Sequence, residues 1–92
     1  MKIWKYPIPL DERFALKLPE DTRILCVQVQ NNHPCIWALA RPNASEIAYY
    51  FHLLATGQEI DNDEGNLIYI GTFQLNNGEY VFHLFQITER RK

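Results

Sequence analysis

The sequence lacks the features that mark several common classes of protein. Its 92 residues carry nine Lys and Arg against eleven Asp and Glu, a net charge of −2, so no basic excess favours non-specific binding to nucleic acid. No apolar run is long enough for a signal peptide or a membrane-spanning segment, and the N-terminal residues 1–7 do not form one either. We therefore expect a cytoplasmic protein whose partners include neither nucleic acid nor a membrane.

The chain also lacks the residue patterns of common catalytic and metal sites. It has only four glycines, and they do not form a phosphate-binding loop. His33, His52 and His83 lie in none of the arrangements that nucleophilic catalysis uses. Residues 61–65 are similar to the start of a calcium loop but lack its distant bidentate glutamate. We therefore predict that the protein is not an enzyme and that it holds no metal or other cofactor.

Cysteine is scarce as well, with two residues, Cys26 and Cys35. If a turn centres on residues 32–33, Cys26 faces Leu39 and Cys35 faces Gln30 across a hairpin, so the two thiols are not opposite each other. In a reducing cytosol, small side chains of this kind are usually buried thiols. We expect two buried thiols rather than a disulfide or a metal site.

What the sequence does have is the alternation typical of β-strands. In residues 22–41, Val27 and Val29 alternate with glutamines, which is the period of a pleated strand. Asn31 and Asn32 follow, and asparagine tolerates the positive φ angles of a tight turn. A second apolar run comes after this turn. The pattern predicts a β-hairpin at the centre of the fold.

Five further stretches of the chain alternate in the same way. Residues 46–56 could instead begin a helix capped by Ser45, but the run Tyr49-Tyr50-Phe51 favours a strand. Asn77-Gly78 predicts a two-residue turn between the last two strands. An acidic loop at residues 57–66 and a charged, frayed tail at residues 88–92 complete the chain. The five stretches are residues 2–8, 13–18, 46–56, 67–75 and 80–87.

These strands predict an all-β fold, a small antiparallel meander that closes as a barrel or a sandwich of about seven strands. Hydrophobic residues make up 47% of the chain, more than a disordered segment carries, so we expect one packed β domain over residues 1–92.

Three of the predicted strands are apolar on both faces. In residues 35–40, Cys35, Trp37 and Leu39 form one face, and the other face is also apolar. A solvated outer face would normally be polar. We therefore expect Trp37 to be buried and the protein to form a homo-oligomer, although one sheet folded over its own core would also explain the pattern.

Several blocks of the sequence together resemble a family of short domains of unknown function that is common in phage and prophage genomes. The resemblance covers nearly the whole chain and implies a phage or prophage origin in a bacterial host, with a small accessory role and no catalytic signature. Where the family has Thr-Gly-His before the acidic loop, this chain has Thr56-Gly57-Gln58. The blocks are Lys-Ile-Trp-Lys-Tyr-Pro at residues 2–7, Val-Gln-Val-Gln-Asn at 27–31, Pro-Cys-Ile-Trp-Ala-Leu at 34–39, Tyr-Ile-Gly-Thr-Phe-Gln at 69–74 and Val-Phe-His-Leu-Phe at 81–85.

Two functions fit such a protein. The first is capture of a small ligand, in the phage context a nucleotide immune messenger, for which aromatic rings would stack on a base and cations would bind phosphate. Arg41 is the cation best placed for phosphate, although each candidate could also be a core aromatic or a solvated charge. The second is a protein-interaction module whose acidic residues 59–64 contact a basic partner. The candidate ligand-binding residues are Trp4, Tyr6, Arg23, Trp37, Arg41 and Tyr50, with Lys5 and Tyr49 as further members of the same two types.

Overall fold

A computed structural model of the chain describes residues 1–60 and 65–88, and this part consists of β-strands and short connections. The predicted all-β fold is confirmed, and the stretch at 46–56 is a strand rather than a helix. The centre of the predicted acidic loop, residues 61–64, and the predicted frayed tail from residue 89 onward lie outside the described residues. The seven strands of the described part are β1 Lys2–Pro7, β2 Arg13–Pro19, β3 Arg23–Gln30, β4 His33–Ala40, β5 Glu46–Ala55, β6 Leu67–Leu75 and β7 Tyr80–Ile87.

The strands form two antiparallel sheets that pack face to face as a sandwich rather than closing into a barrel. Sheet A has the strand order β1-β4-β3, and sheet B has the order β2-β5-β7-β6. Among the seven strands, β3–β4 and β6–β7 are the pairs that are consecutive in the chain and also adjacent in a sheet. The strand order is therefore more complex than a series of hairpins. β5 and β6 run in the same direction, with β7 between them and antiparallel to both. In residues 1–60 and 65–88 there is no helix long and apolar enough to cross a membrane.

The β3–β4 hairpin turns one residue earlier than the sequence suggested. Asn31 and Asn32 have φ angles of 53° and 60° and form the turn, so that Gln30 pairs with His33. Asparagine adopts this left-handed conformation more readily than most residues.

The early turn changes the pairing of the two cysteines. With Gln30 opposite His33, Cys26 lies opposite Trp37 and Cys35 lies opposite Gln28, and the register shift between Ile24 and Cys26 comes only beyond these pairs. The predicted pairs with Leu39 and Gln30 are therefore wrong by two positions, because moving a turn by one residue moves every pair of the hairpin by two. Both thiols are free, with Cys35 buried and Cys26 half-buried.

The β6–β7 hairpin is closed by the pair Leu75 and Tyr80, so its loop spans residues 76–79. Asn76, Asn77 and Gly78 all have positive φ angles. Asn77 and Gly78 are the two central residues of this turn, both with positive φ, as predicted, although the strand pairing ends one residue earlier on each side. A hydrogen bond of 3.2 Å from the Glu79 backbone N–H to the Asn76 carbonyl closes the turn.

The core lies between the facing sides of the two sheets. In sheet A, β4 places Ile36, Ala38 and Ala40 in the core, as the alternation predicts for one of its faces. In sheet B, the Phe51 ring is fully buried and stacks on the Phe14 ring, with 5.1 Å between the ring centroids. Apolar side chains removed from water in this way are the main favourable contribution to folding. The buried apolar cluster comprises Ile8, Leu18, Val27, Ile36, Phe51, Leu53, Phe73, Leu75 and Leu84.

The edge strands β3 and β6 contact each other at one side of the sandwich. Each carries a bulge, in β6 between Tyr69 and Gly71. A Cβ atom at Gly71 would lie 2.9 Å from Cγ1 of the buried Val27. Because that distance is shorter than van der Waals contact, glycine is what allows β6 to approach β3 here.

Candidate functional site

The six predicted ligand-binding residues lie on different surfaces of the sandwich. Trp4 and Tyr6 are on the inward side of β1, since they pair with Ala38 and Ile36 of the core. Arg23 and Trp37 are on the outer side of sheet A, Arg41 is exposed directly after β4, and Tyr50 is on the outer side of sheet B. The structure therefore brings together Arg23 and Trp37 but not the full set.

Trp4 and Tyr6 occupy the rim of the sandwich rather than a pocket. Trp4 is 42% exposed, and Nζ of Lys2 lies 5.8 Å from the centroid of its ring. Tyr6 is half-buried against the core. Burial raises the pKa of the Tyr6 hydroxyl, and the negative charge of Glu46 raises this pKa further. These features suit a residue that completes the core.

Tyr49 has a structural role. Its hydroxyl accepts a hydrogen bond from the Thr22 backbone N–H and donates one to the Pro19 carbonyl, each 2.9 Å long. The Thr22 hydroxyl donates to the same carbonyl at 2.6 Å. Tyr49 thus fixes the turn between β2 and β3, where Asp21 has a positive φ of 61°.

Replacing Tyr49 with phenylalanine should lower the free energy of unfolding by about 1–3 kcal/mol, because the buried donor at Thr22 loses its partner while the ring is kept. Chemical denaturation of the two proteins measures the loss. Tyr80→Phe is the matched control, since Tyr80 is exposed, and its effect should stay within about 0.5 kcal/mol. Equal effects of the two substitutions would contradict the structural role.

The outer side of sheet A combines apolar and basic side chains, and we call it the sheet A outer surface. Residues directly opposite each other on neighbouring strands share a face. Ile3, Leu39 and Arg23 accordingly form one row across the sheet, and Lys5, Trp37 and Cys26 form the next. Gln28 and Gln30 complete the surface, and Cys35 lies on the same side of β4 but is buried.

Trp37 is half-buried on this surface, so the expectation of a buried Trp37 is wrong. The reason is the pleat of β4, which gives the core positions to Ile36 and Ala38, both 0% exposed. Ile3 is 63% exposed on the same surface. The sheet A outer surface thus has a half-buried indole with Lys5 opposite it and Arg23 in the adjacent row, a combination that suits stacking on a base and pairing with phosphate.

A second site, which the sequence did not reveal, lies on the outer side of sheet B. There a cavity of about 160 Å³ opens beside the end of β5, and we call it the Thr56 cavity. A neighbouring cavity of about 240 Å³ shares Ala55 and Thr56 with it and extends to Glu79 and Tyr80. The Thr56 cavity is lined by Leu54, Ala55, Thr56, Gly57, Gln58, Ile60, His83 and Phe85.

A chain of four hydrogen-bonded side chains borders the Thr56 cavity. The Thr56 hydroxyl lies 2.7 Å from Nε2 of His83, and the Thr72 hydroxyl lies 2.8 Å from Nδ1 of the same ring. The Tyr69 hydroxyl lies 2.5 Å from that of Thr72. The His83 ring is therefore held at both nitrogens, with each hydroxyl able to donate or accept according to the tautomer.

A second histidine lies on the same side of sheet B. His52 is 1% exposed, and its Nε2 is 3.7 Å from Oε2 of Glu12. Glu12 also accepts hydrogen bonds from Arg13 at 2.7 Å and from the Gln58 side chain at 3.0 Å. Within the described ranges, no three His, Cys, Asp or Glu side chains are grouped so that they could hold a metal ion.

The fold defines the protein as a small β-sandwich domain. Residues 1–92 match the sequence model of a family described as a domain of unknown function, DUF7352, and the chain belongs to this family. No curated protein and no solved structure matches the chain.

Proposed function

We propose that this protein is a non-enzymatic binding protein that captures a nucleotide-like ligand on the sheet A outer surface. The observation that carries the proposal is the row in which Lys5 lies opposite Trp37, with Arg23 in the adjacent row. An indole stacks on any base, and a guanidinium group binds phosphate through two hydrogen bonds. The proposed role is that of a phage or prophage accessory protein, which sequesters a nucleotide immune messenger in the cytoplasm of a bacterial host.

Self-association is part of this proposal. The sheet A outer surface is open, and Ile3, Trp37 and Leu39 leave apolar area in contact with water. A second copy seated on this surface would cover that area and enclose a ligand between the two indoles, since enclosed sites often form between subunits. Light scattering at micromolar concentration should accordingly give the mass of a homo-oligomer, and a monomer would contradict this part of the proposal.

Calorimetry against cyclic dinucleotides and ADP-ribose derivatives tests ligand capture. At least one compound should bind with a dissociation constant below about 10 μM, which corresponds to roughly −7 kcal/mol. Arg23→Gln should weaken that binding at least about tenfold, through loss of a charge-assisted pair. Arg41→Gln tests the other candidate cation.

Lys17→Gln is the matched control for these variants, because Lys17 is an exposed cation on β2 of sheet B. Its dissociation constants should equal those of the wild type. If no compound of the panel binds below about 10 μM, nucleotide capture is wrong.

The second candidate function is a protein-interaction module, and the exposed Ile3 and Leu25 of sheet A favour it. Most of the acidic contact predicted for that function, residues 59–64, lies outside the described residues. A pull-down from a bacterial host, repeated with Ile3→Lys, would identify a partner that depends on the sheet A outer surface. If calorimetry finds no nucleotide that binds, the protein-interaction module becomes the favoured function.

A further inference from the structure

We propose that the Thr56 cavity is a second binding site, for a small neutral molecule with an aromatic or branched apolar body and a carbonyl group that accepts a hydrogen bond from Thr56. This site lies on the outer side of sheet B and is therefore separate from the sheet A outer surface. It goes beyond the proposed function and does not depend on it.

The shape and lining of the cavity set the size and polarity of the ligand. Its volume of about 160 Å³ is of the order that holds a single small ring. Leu54, Ile60 and Phe85 supply apolar walls, and Thr56 and His83 supply polar groups at one side. A few polar groups in an apolar pocket are what fixes the orientation of a small ligand.

The number of hydrogen atoms shared by the four hydrogen-bonded side chains determines which hydroxyl groups can donate to a ligand. Tyr69, Thr72 and Thr56 each have one hydroxyl hydrogen, and a neutral His83 ring has one N–H, which makes four donors for three links. One hydrogen is therefore left over, on Thr56, on Thr72 or on Tyr69, because the Thr72 oxygen can also accept from both of its neighbours.

Of these hydroxyl groups, that of Thr56 is the one that lines both cavities. Thr56 and Tyr69 are both exposed, so water can accept a leftover hydrogen at either residue when no ligand is bound. When the leftover hydrogen is on Thr56, His83 carries its own hydrogen on Nε2 and accepts from Thr72 at Nδ1. A carbonyl oxygen in the cavity selects this arrangement, because it gives the Thr56 hydroxyl an acceptor.

The charges around the cavity favour a neutral ligand over an acid. Glu79 borders the adjoining cavity, and Glu12 accepts a hydrogen bond from Gln58 in the cavity wall. Arg13 is paired with Glu12 at 2.7 Å. A carboxylate ligand would therefore meet like charge, and none of the described residues that line the cavity is a lysine or an arginine.

Benzamide is the probe that tests the site, because it joins one ring to one neutral carbonyl. In an NMR titration of the full chain it should shift the resonances of Thr56, His83 and Phe85, with a dissociation constant of about 1 mM. Thr56→Val should weaken binding about tenfold, and Thr56→Ser, which keeps the hydroxyl, should restore it. Thr88→Val is the control, since its hydroxyl is bonded to the Asn66 carbonyl elsewhere on the sheet.

Three further measurements separate a ligand site from a structural role. Side-chain nitrogen spectra of His83 at saturating benzamide should move toward the tautomer that has its hydrogen on Nε2. Toluene, which has no acceptor, and benzoate, which is charged, should each bind more weakly than benzamide. Equal affinity of the wild type and Thr56→Val, an unchanged tautomer, or no binding up to about 10 mM benzamide would overturn the proposal.

Discussion

Replacing Phe51 with alanine is expected to destabilise the protein by about 3–5 kcal/mol. The Phe51 side chain is 0% exposed at the centre of β5, and its ring stacks on that of Phe14 at 5.1 Å. Truncation removes the transfer free energy of the ring and leaves a cavity that a close-packed sandwich fills only in part. A domain of this length has a total stability of about 5–14 kcal/mol, so the variant should lie close to the threshold of unfolding.

Urea denaturation followed by tryptophan fluorescence measures this loss. Tyr80→Ala is the comparison, because it removes a ring of similar size that is 52% exposed, and it should cost less than about 1 kcal/mol. If Phe51→Ala loses no more than Tyr80→Ala, the two sheets do not pack on Phe51 as described.

Replacing Gly71 with alanine is expected to cost about 1–3 kcal/mol. The new Cβ would lie 2.9 Å from Cγ1 of Val27, whose buried side chain is stiff about χ1 and has little room to move. Alanine in a strand normally gains about 0.5–1 kcal/mol over glycine, so the steric clash has to outweigh this gain.

A double-mutant cycle with Val27→Ala identifies the cause of the loss. Val27→Ala removes the clashing methyl group, so Gly71→Ala should cost less in that background by at least about 0.5 kcal/mol. Losses that add without coupling would show that the approach of β6 to β3 does not depend on this contact. A gain in stability from Gly71→Ala alone would contradict the geometry directly.

The strands themselves could be predicted from the sequence because alternation is a local signal. All seven strands lie in the stretches where the alternation predicted them. Pairing was harder to predict, because the bulge beside Ile24 and the early turn at Asn31 depend on contacts across the sheet.

The candidate sites were harder to predict than the strands, because they depend on how strands pair and on the order of strands in each sheet. Arg23 and Trp37 come together because their strands are joined by one hairpin, which the sequence does predict, although its register differs from the predicted one. Tyr50 lies far from them because its strand belongs to the other sheet, and sheet order is a long-range property. Thr72 and His83 lie on the turn side of the β6 bulge, so the turn at Asn77-Gly78 does fix their pairing, whereas Thr56 joins them through the pairing of β5 with β7, which is a long-range property.

The place of β7 in sheet B has a consequence for how the chain folds as it is synthesised. β7 is the last of the seven strands to leave the ribosome, yet it lies between β5 and β6 and pairs with both. Until β7 emerges, β6 has no partner within its sheet, and β5 is paired with β2 along one edge and unpaired along the other. Sheet B therefore closes only after translation of residues 80–87, and a nascent chain paused before them presents unpaired strand edges to chaperones and to aggregation.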